Sequence, residues 1–218
     1  MVKAVLFDLD GTLADSLLDL SISTNYAISK FGYKPQPTES FRLFAGDGMA
    51  KMIERALPEN TNKENEVSRI MPVFLDYYGN HFCDNTTAYE GVVELIDNIK
   101  SKGIAVAVVT NKAQEMAEKV VLKLYGGRFD LILGKRDGVP PKPDPTSALM
   151  AMRELNVKPS ECIFVGDSKM DVMAGVNSGA YPIGVLWGFR EKEELISGGA
   201  KRLIEKPQEL LAIIDSLR

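Results

Sequence analysis

Five short apolar runs rich in β-branched residues, at residues 4–7, 104–109, 129–133, 163–165 and 181–186, stand out from the polar background of the chain. Each has the length of a buried strand, and continuous rather than alternating hydrophobicity is what a parallel sheet covered on both faces imposes. Between these runs the period changes. Val92, Leu95, Ile96 and Ile99 recur at i, i+3, i+4 and i+7, and Gly103 follows as a stop. Met116, Ala117, Val120, Val121 and Leu124 make a second helical stripe. Asp144-Pro145 reads as an N-cap with proline in the first helical position, opening a helix through Leu149, Met152 and Leu155. A last stripe, Leu210, Ile213, Ile214 and Leu217, predicts an outer helix over residues 207–217.

Strand and helix alternate from about residue 91 onward. The expected fold class is therefore α/β, a Rossmann-like doubly wound parallel sheet that takes the run at residues 4–7 as one of its strands. From Leu13 to Asn85 the pattern holds no convincing strand, only helical stripes such as Met49, Met52, Ile53, Ala56 and Ile70, Met71, Phe74, Leu75, Tyr78. Pro72, inside the second stripe, predicts either a kink or the start of that helix, because its ring removes a backbone hydrogen bond. The expected organisation is a core of residues 1–14 and 86–218 with a helical domain, residues 15–85, inserted after the first strand. No repeat or low-complexity segment complicates this picture.

In an open parallel sheet, ligands bind beyond the carboxyl ends of the strands. The residues that end the apolar runs are Asp8-Leu9-Asp10-Gly11-Thr12, Thr110-Asn111 and Gly166-Asp167-Ser168-Lys169-Met170-Asp171, with Lys142 a short loop beyond the third run. Four carboxylates, a hydroxyl, an amide and a lysine are thus expected at one sheet edge. Like charges about 4 Å apart repel by roughly 4 kcal/mol at an effective dielectric near 20, so Asp8, Asp10, Asp167 and Asp171 need a counter-ion beyond Lys142. An all-oxygen set of this kind suits Mg²⁺, which often bridges carboxylates to a substrate phosphate. Asp8 and Asp10, spaced i and i+2, share a strand face, and Gly11 lets the chain turn beyond them. Crowding by like charges raises a carboxylate's pKa, which suits Asp10 to general acid work and leaves Asp8 as the nucleophile of an aspartyl phosphate. The pattern sets Thr110 and the amide of Asn111 at a helix start, where phosphate oxygens are received, and gives Lys142 the charge of the transition state to neutralise.

Composition narrows the partners. A chain of 218 residues, 45% hydrophobic and 26% charged, can bury a proper core, and its net charge of −4 gives no basic footprint for nucleic acid or an anionic membrane. Cys83 and Cys162 lack a CxxC spacing and read as structural thiols. Residues 2–7 are too short for a signal peptide and no transmembrane run occurs, so a cytoplasmic location is expected.

In this order, D-x-D-G-T, a strand-terminal T-N, a distant lysine and G-D-x-x-x-D resemble the four motifs of the haloacid dehalogenase superfamily, over a core from Ala4 to about Asn177. The resemblance implies that the helical insert is a cap. It also implies side-chain ligation of Mg²⁺ by Asp8 and Asp167, ligation by Asp10 through its backbone carbonyl, and support from Asp171 close by, with Ser168 assisting. Within the superfamily the chain is similar to phosphoglycolate phosphatase-like proteins, through Phe44-Ala45-Gly46-Asp47-Gly48 and through Trp187-Gly188-Phe189-Arg190 with Glu194-Leu195. That likeness puts Gly46 and Gly48 in a cap turn that closes over substrate. Glu90-Gly91 stands where Pro-Gly is often seen, a departure that touches packing more than catalysis. β-Phosphoglucomutase carries an arginine in the cap turn to hold a second phosphate, whereas here Met49-Ala50 follow, which favours hydrolysis over mutation.

The activity so implied is Mg²⁺-dependent hydrolysis of a small, phosphoglycolate-like phosphate monoester, with a small phosphorylated metabolite as partner and monomer or homodimer both open. The alternatives are a β-phosphoglucomutase-like phosphotransferase, a pyrophosphatase of the same superfamily, and a non-catalytic phosphate-binding or signalling protein of the receiver kind. Receivers need no insert of about 70 residues after the first strand. A calcium loop fails because its glycine belongs at position 6, whereas Gly11 stands at position 4. Gly134-Lys135-Arg136 lacks the spacing of a Walker loop. His81, the sole histidine, reads as surface or linker, and Arg42 and Lys51 beside the cap turn read as solvated charges.

Overall fold

The computed structural model describes residues 1–217 and divides them into two compact units, Met1–Asp15 with the chain from Ala88 onward, and Ser16–Thr87 between them. In chain order the strands are β1 (Ala4–Phe7), the two-residue β2 (Ala14–Asp15) and β3 (Thr87–Ala88), then β4 (Ala105–Ala113), β5 (Leu131–Lys135), β6 (Cys162–Gly166), β7 (Tyr181–Val185) and β8 (Arg202–Ile204). Helices α1 (Leu17–Ser29), α2 (Phe41–Phe44), α3 (Met49–Ala56) and α4 (Lys63–His81) lie in the inserted unit. Helices α5 (Val92–Ser101), α6 (Gln114–Tyr125), α7 (Thr146–Glu154), α8 (Lys169–Ser178), α9 (Lys192–Gly198) and α10 (Glu209–Ser216) belong with the sheet.

The sheet runs β5-β4-β1-β6-β7-β8 and every pairing in it is parallel. Successive crossovers move outward from β1 to β4 and β5, then return across β1 to β6, so the winding reverses around β1. That reversal is where an open α/β sheet leaves a crevice for ligands. The edge strand β8 was not expected. Arg202-Leu203-Ile204 is too short to stand out as an apolar run, and it becomes a strand by pairing with Ile183, Gly184 and Val185 of β7.

Both sheet faces are covered, which explains the unbroken apolar runs. Ala4 and Leu6 of β1, Ala107 and Val109 of β4, and Cys162 and Phe164 of β6 pack on one face against Ala148, Ala151 and Met152 of α7 and Ala174 of α8. Phe7 points the other way, its ring edge-on to Phe129, which in turn meets Tyr125 of α6 edge-on. The stripe Val92, Leu95, Ile96 and Ile99 is buried as its spacing requires. For α7 the buried side is Ala148, Ala151 and Met152, while Leu149 is exposed. Its start also shifts by one residue: Pro145 takes the cap position, and Asp144 reaches over it to accept from the Thr146 N–H at 2.9 Å.

In the inserted unit, α1 packs on α4 and α3 on both. The buried rows are Leu17, Leu20, Ala27 and Ile28 from α1, Met52, Ile53 and Ala56 from α3, and Ile70, Phe74 and Tyr78 from α4. Pro72 does not start α4, which begins nine residues earlier at Lys63 behind the Asn62 cap. The proline lies on the exposed side, where water can serve the carbonyl whose hydrogen bond it removes. Asp19 of α1 is buried, and its carboxylate accepts from the N–H and side-chain amide of Asn85 and from the N–H and hydroxyl of Thr86, at 2.6 to 3.1 Å. Burial alone would raise its pKa, but these donors outweigh that and hold it below the usual carboxylate range.

Candidate active site

Phe7 is level with Val108 on one side and Val165 on the other, so Asp8, Thr110 and Asp167 leave three adjacent strands at nearly the same height. The ladder between β4 and β5 loses its regular register between Val109 and Ala113. Thr110, Asn111 and Lys112 lie at this irregularity, and all three are buried. Helix α6 starts only at Gln114, so Thr110 and Asn111 do not sit at a helix N-terminus as the pattern suggested.

Carboxylate oxygens of Asp8, Asp167 and Asp171 all lie within 4.8 Å of one another, and all three residues are buried. Lys142 stands among them. Its Nζ donates to Asp8 Oδ1 at 2.6 Å, to Asp171 Oδ1 at 2.5 Å and to the Val109 carbonyl at 3.0 Å, which uses its three N–H groups. The loop after β5 that carries Lys142 is fixed by Asn111, whose Oδ1 accepts from the Lys142 N–H at 2.8 Å and whose Nδ2 donates to the Lys142 carbonyl at 3.3 Å. Asn111, expected at a phosphate, thus also positions the loop of the lysine. Asp171 is fixed from the other side by Ser168, whose N–H and hydroxyl both donate to Asp171 Oδ2, at 2.9 and 2.6 Å, as α8 begins.

Asp167 has a different environment. The Thr12 hydroxyl donates to its Oδ1 and the Phe189 N–H to its Oδ2, each at 2.9 Å. Two glycines make room for it: a Cβ on Gly11, itself at φ +87, would meet the Asp167 carboxylate, and one on Gly188 would meet Asp167 Cβ. Trp187 secures this wall by donating from Nε1 to the Thr12 carbonyl at 3.0 Å.

Burial, and then the Asp171 charge, push Asp8 up to about 6 against the opposing pull of Lys142. Burial, and then the charges of Asp171 and Asp8, push Asp167 up to about 8. Burial works against the Lys142 ammonium, but Asp171 and Asp8 overcome it and hold its pKa above the usual lysine value. Among the described residues no lysine or arginine pairs with Asp167. A buried carboxylate that lacks a cation, facing two others that share one ammonium, is a donor set suited to a divalent cation with oxygen ligands.

Asp10 does not join this cluster through its side chain. It meets the Lys112 ammonium, with Nζ 2.9 Å from each carboxylate oxygen, so the like-charge crowding expected there is replaced by an ion pair. Lys112 escaped the sequence reading. Its only signal was its position directly after Thr110-Asn111, at the same strand end. Thr12 and Phe189 escaped as well, although each stood in a motif. Gly46 and Gly48 lie in the inserted unit, in a turn before α3 that Arg55 braces by donating to the Leu43 and Phe44 carbonyls and pairing with Asp47. Arg42 pairs with Glu39 and Lys51 with Glu54, both at the surface, and His81 pairs with Asp84.

Comparison with known proteins agrees with this geometry. The family model for haloacid dehalogenase-like hydrolases matches residues 5–185. A phosphoglycolate phosphatase of Haemophilus influenzae is 32% identical over 97% of this chain and 98% of its own. One of Aquifex aeolicus is 28% identical over 99% and 98% respectively. A crystal structure from Lactobacillus delbrueckii subsp. bulgaricus, solved as a candidate phosphoglycolate phosphatase, superposes with a TM-score of 0.91 at 31% identity, covering 97% of this chain and 98% of that one.

Proposed function

The chain belongs to the haloacid dehalogenase-like hydrolases and is a phosphohydrolase, and from that premise we propose that it hydrolyses 2-phosphoglycolate, or a closely similar small monoester, with Mg²⁺ at Asp8, Asp167 and Asp171. The observation that carries the reading is Lys142, buried and bonded at once to Asp8 and Asp171, whose carboxylates lie with that of Asp167 within 4.8 Å of one another. The substrate rests on the relatives of nearly full length that act as phosphoglycolate phosphatases. Asp8, Asp167 and Asp171 would hold the cation, with the Asp10 carbonyl completing the set. When bound, Mg²⁺ supplies positive charge to the phosphoryl oxygens and offsets the surplus of buried carboxylates.

In the proposed reaction Asp10 enters as the neutral acid: an oxygen of Asp8 attacks phosphorus, the bond from phosphorus to the ester oxygen breaks, and that oxygen takes the Asp10 proton. The phosphoryl group is then carried on Asp8. Water attacks it, gives its proton to Asp10, and releases inorganic phosphate and a free Asp8 carboxylate. Lys142 holds Asp8 in the attacking position and counters its charge, while Thr110 at the end of the regular β4 ladder offers a hydroxyl to a phosphoryl oxygen. Among the described residues no helix is long and apolar enough to cross a membrane, both cysteines are free thiols, and a cytoplasmic location goes with this proposal.

Phosphate release from a panel of monoesters, in Mg²⁺ and in EDTA, tests the reading. The native protein is expected to need Mg²⁺, and Asp8→Asn to lose more than about 1,000-fold in kcat. Full activity in EDTA, or an active Asp8→Asn protein, would remove the mechanism.

A further inference from the structure

We propose that the protein self-associates as a two-fold dimer through the exposed apolar side of helix α1, packed antiparallel against the same helix of a second copy. The surface is one that the proposed reaction leaves unused, so the inference goes beyond the phosphohydrolase reading and does not depend on it.

Helix α1 holds one charged residue, Asp19, and that residue is buried. Its exposed side is Leu18, Ile22 and Tyr26, spaced i, i+4 and i+8, with 44%, 39% and 39% of their surfaces open to water. The neighbouring helices of the inserted unit turn charge outward instead: Lys51 and Arg55 on α3, and Glu64, Arg69 and Asp76 on α4. A helix that is apolar on every side belongs in an interior, and a contiguous apolar row left in water marks a surface that meets another molecule. Aromatic faces widen the row. Tyr26 stacks on Tyr77 of α4 with 4.0 Å between ring centroids, and Tyr77 stacks on His81 at 4.3 Å. Large aromatic side chains of this kind supply much of the binding energy where two proteins meet.

The charges at the two ends of the row say what covers it. At the Tyr26 end stands Lys30, its Nζ 4.6 Å from the centre of the Tyr26 ring. At the Leu18 end stands Asp84, an exposed residue beside His81. The next residue, Asn85, donates to Asp19 in the first turn of α1, which fixes Asp84 at that end. A two-fold contact brings one patch against itself. With the two α1 helices antiparallel and the axis at Ile22, Leu18 of each copy meets Tyr26 of the other, and Lys30 of each meets Asp84 of the other. A parallel arrangement would set Lys30 against Lys30 and Asp84 against Asp84, and like charges so placed repel. An anionic membrane fits less well, since Asp84 stands at one end and the chain carries a net charge of −4.

The test is sedimentation velocity of the full chain over a concentration series, for the native protein, Ile22→Glu, Lys30→Glu and the double variant Lys30→Glu with Asp84→Lys. The native protein is expected to be half dimeric between about 1 and about 100 μM, as suits a contact at the small end of specific interfaces. Ile22→Glu sets two carboxylates face to face on the axis and should weaken the dimer by more than about tenfold. Lys30→Glu should weaken it about fivefold, and the double variant, which exchanges the two signs, should return to within about threefold of native. A native chain that stays monomeric at about 300 μM overturns the inference and leaves the row to a different partner. A dimer that Ile22→Glu does not weaken overturns it too, because another surface would then join the copies. So does a double variant no tighter than Lys30→Glu, since the two ends would then not meet. None of these outcomes bears on phosphate release, so the phosphohydrolase reading stands or falls separately.

Discussion

Lys142 makes the residue scale decisive, because one ammonium answers for two buried carboxylates. Removing one partner of a buried ion pair costs about 3–5 kcal/mol, since the charges left behind stay buried. Lys142→Met is therefore expected to lower stability by that amount in urea titrations with EDTA, and to regain part of it in Mg²⁺. An unchanged midpoint would mean that the carboxylates do not depend on the lysine. Asp8, Lys142, Asp167 and Asp171 were legible because each follows an apolar run, and a parallel sheet collects such residues at one edge. The pairing of Asp10 with Lys112 was not, because which residue faces which across two strand ends depends on a local loss of register in β4 that no hydrophobic pattern encodes. Asn111 was legible as a site residue but not as a brace for Lys142, since a carboxamide gives no hint of whether it faces ligand or backbone.

At the scale of elements, periodicity found the helices whose burial is one-sided and misjudged those set by neighbours. The stripe on α5 is buried as written, whereas α7 turns Ala148, Ala151 and Met152 inward and leaves Leu149 out, because small residues let it lie close on the sheet. Pro72 misled for a similar reason: a proline on the wet side of a long helix costs a hydrogen bond that water replaces, so α4 continues through it. The joint that matters most in the inserted unit is polar. Asp19 takes every donor that Asn85 and Thr86 offer it in the structure, and hydrogen bonds to a charged group contribute about 1.5–3 kcal/mol each when buried partners would otherwise be stranded. Asp19→Ala is expected to cost about 2–4 kcal/mol in a denaturant titration, while Asp19→Asn loses less. A loss below about 0.5 kcal/mol would show the joint to be decorative.

For the whole molecule, the carboxylate cluster sets how stability responds to pH. Asp8 and Asp167 bind protons more tightly when folded, near 6 and 8, than at their ordinary value of 3.8. The folded state therefore holds more protons than the unfolded chain through this window, and stability falls as pH rises from about 4 to about 8. Asp19 acts only below that window, where its depressed pKa makes acid destabilising, and Lys142 only above it. In EDTA the melting temperature is expected to fall steadily between pH 5 and pH 8, and in Mg²⁺ to stay nearly flat, because the cation replaces the protons. A melting temperature that rises with pH in EDTA would contradict the raised values. The grip of Asp19 on residues 85 and 86 has a further meaning. It ties the last residues of the excursion to its first helix, so the segment enters and leaves its host through a single gate. A segment built that way can be lengthened, shortened or exchanged during descent without cutting a strand of the sheet, which lets one set of reacting groups be passed on with inserts of many different kinds.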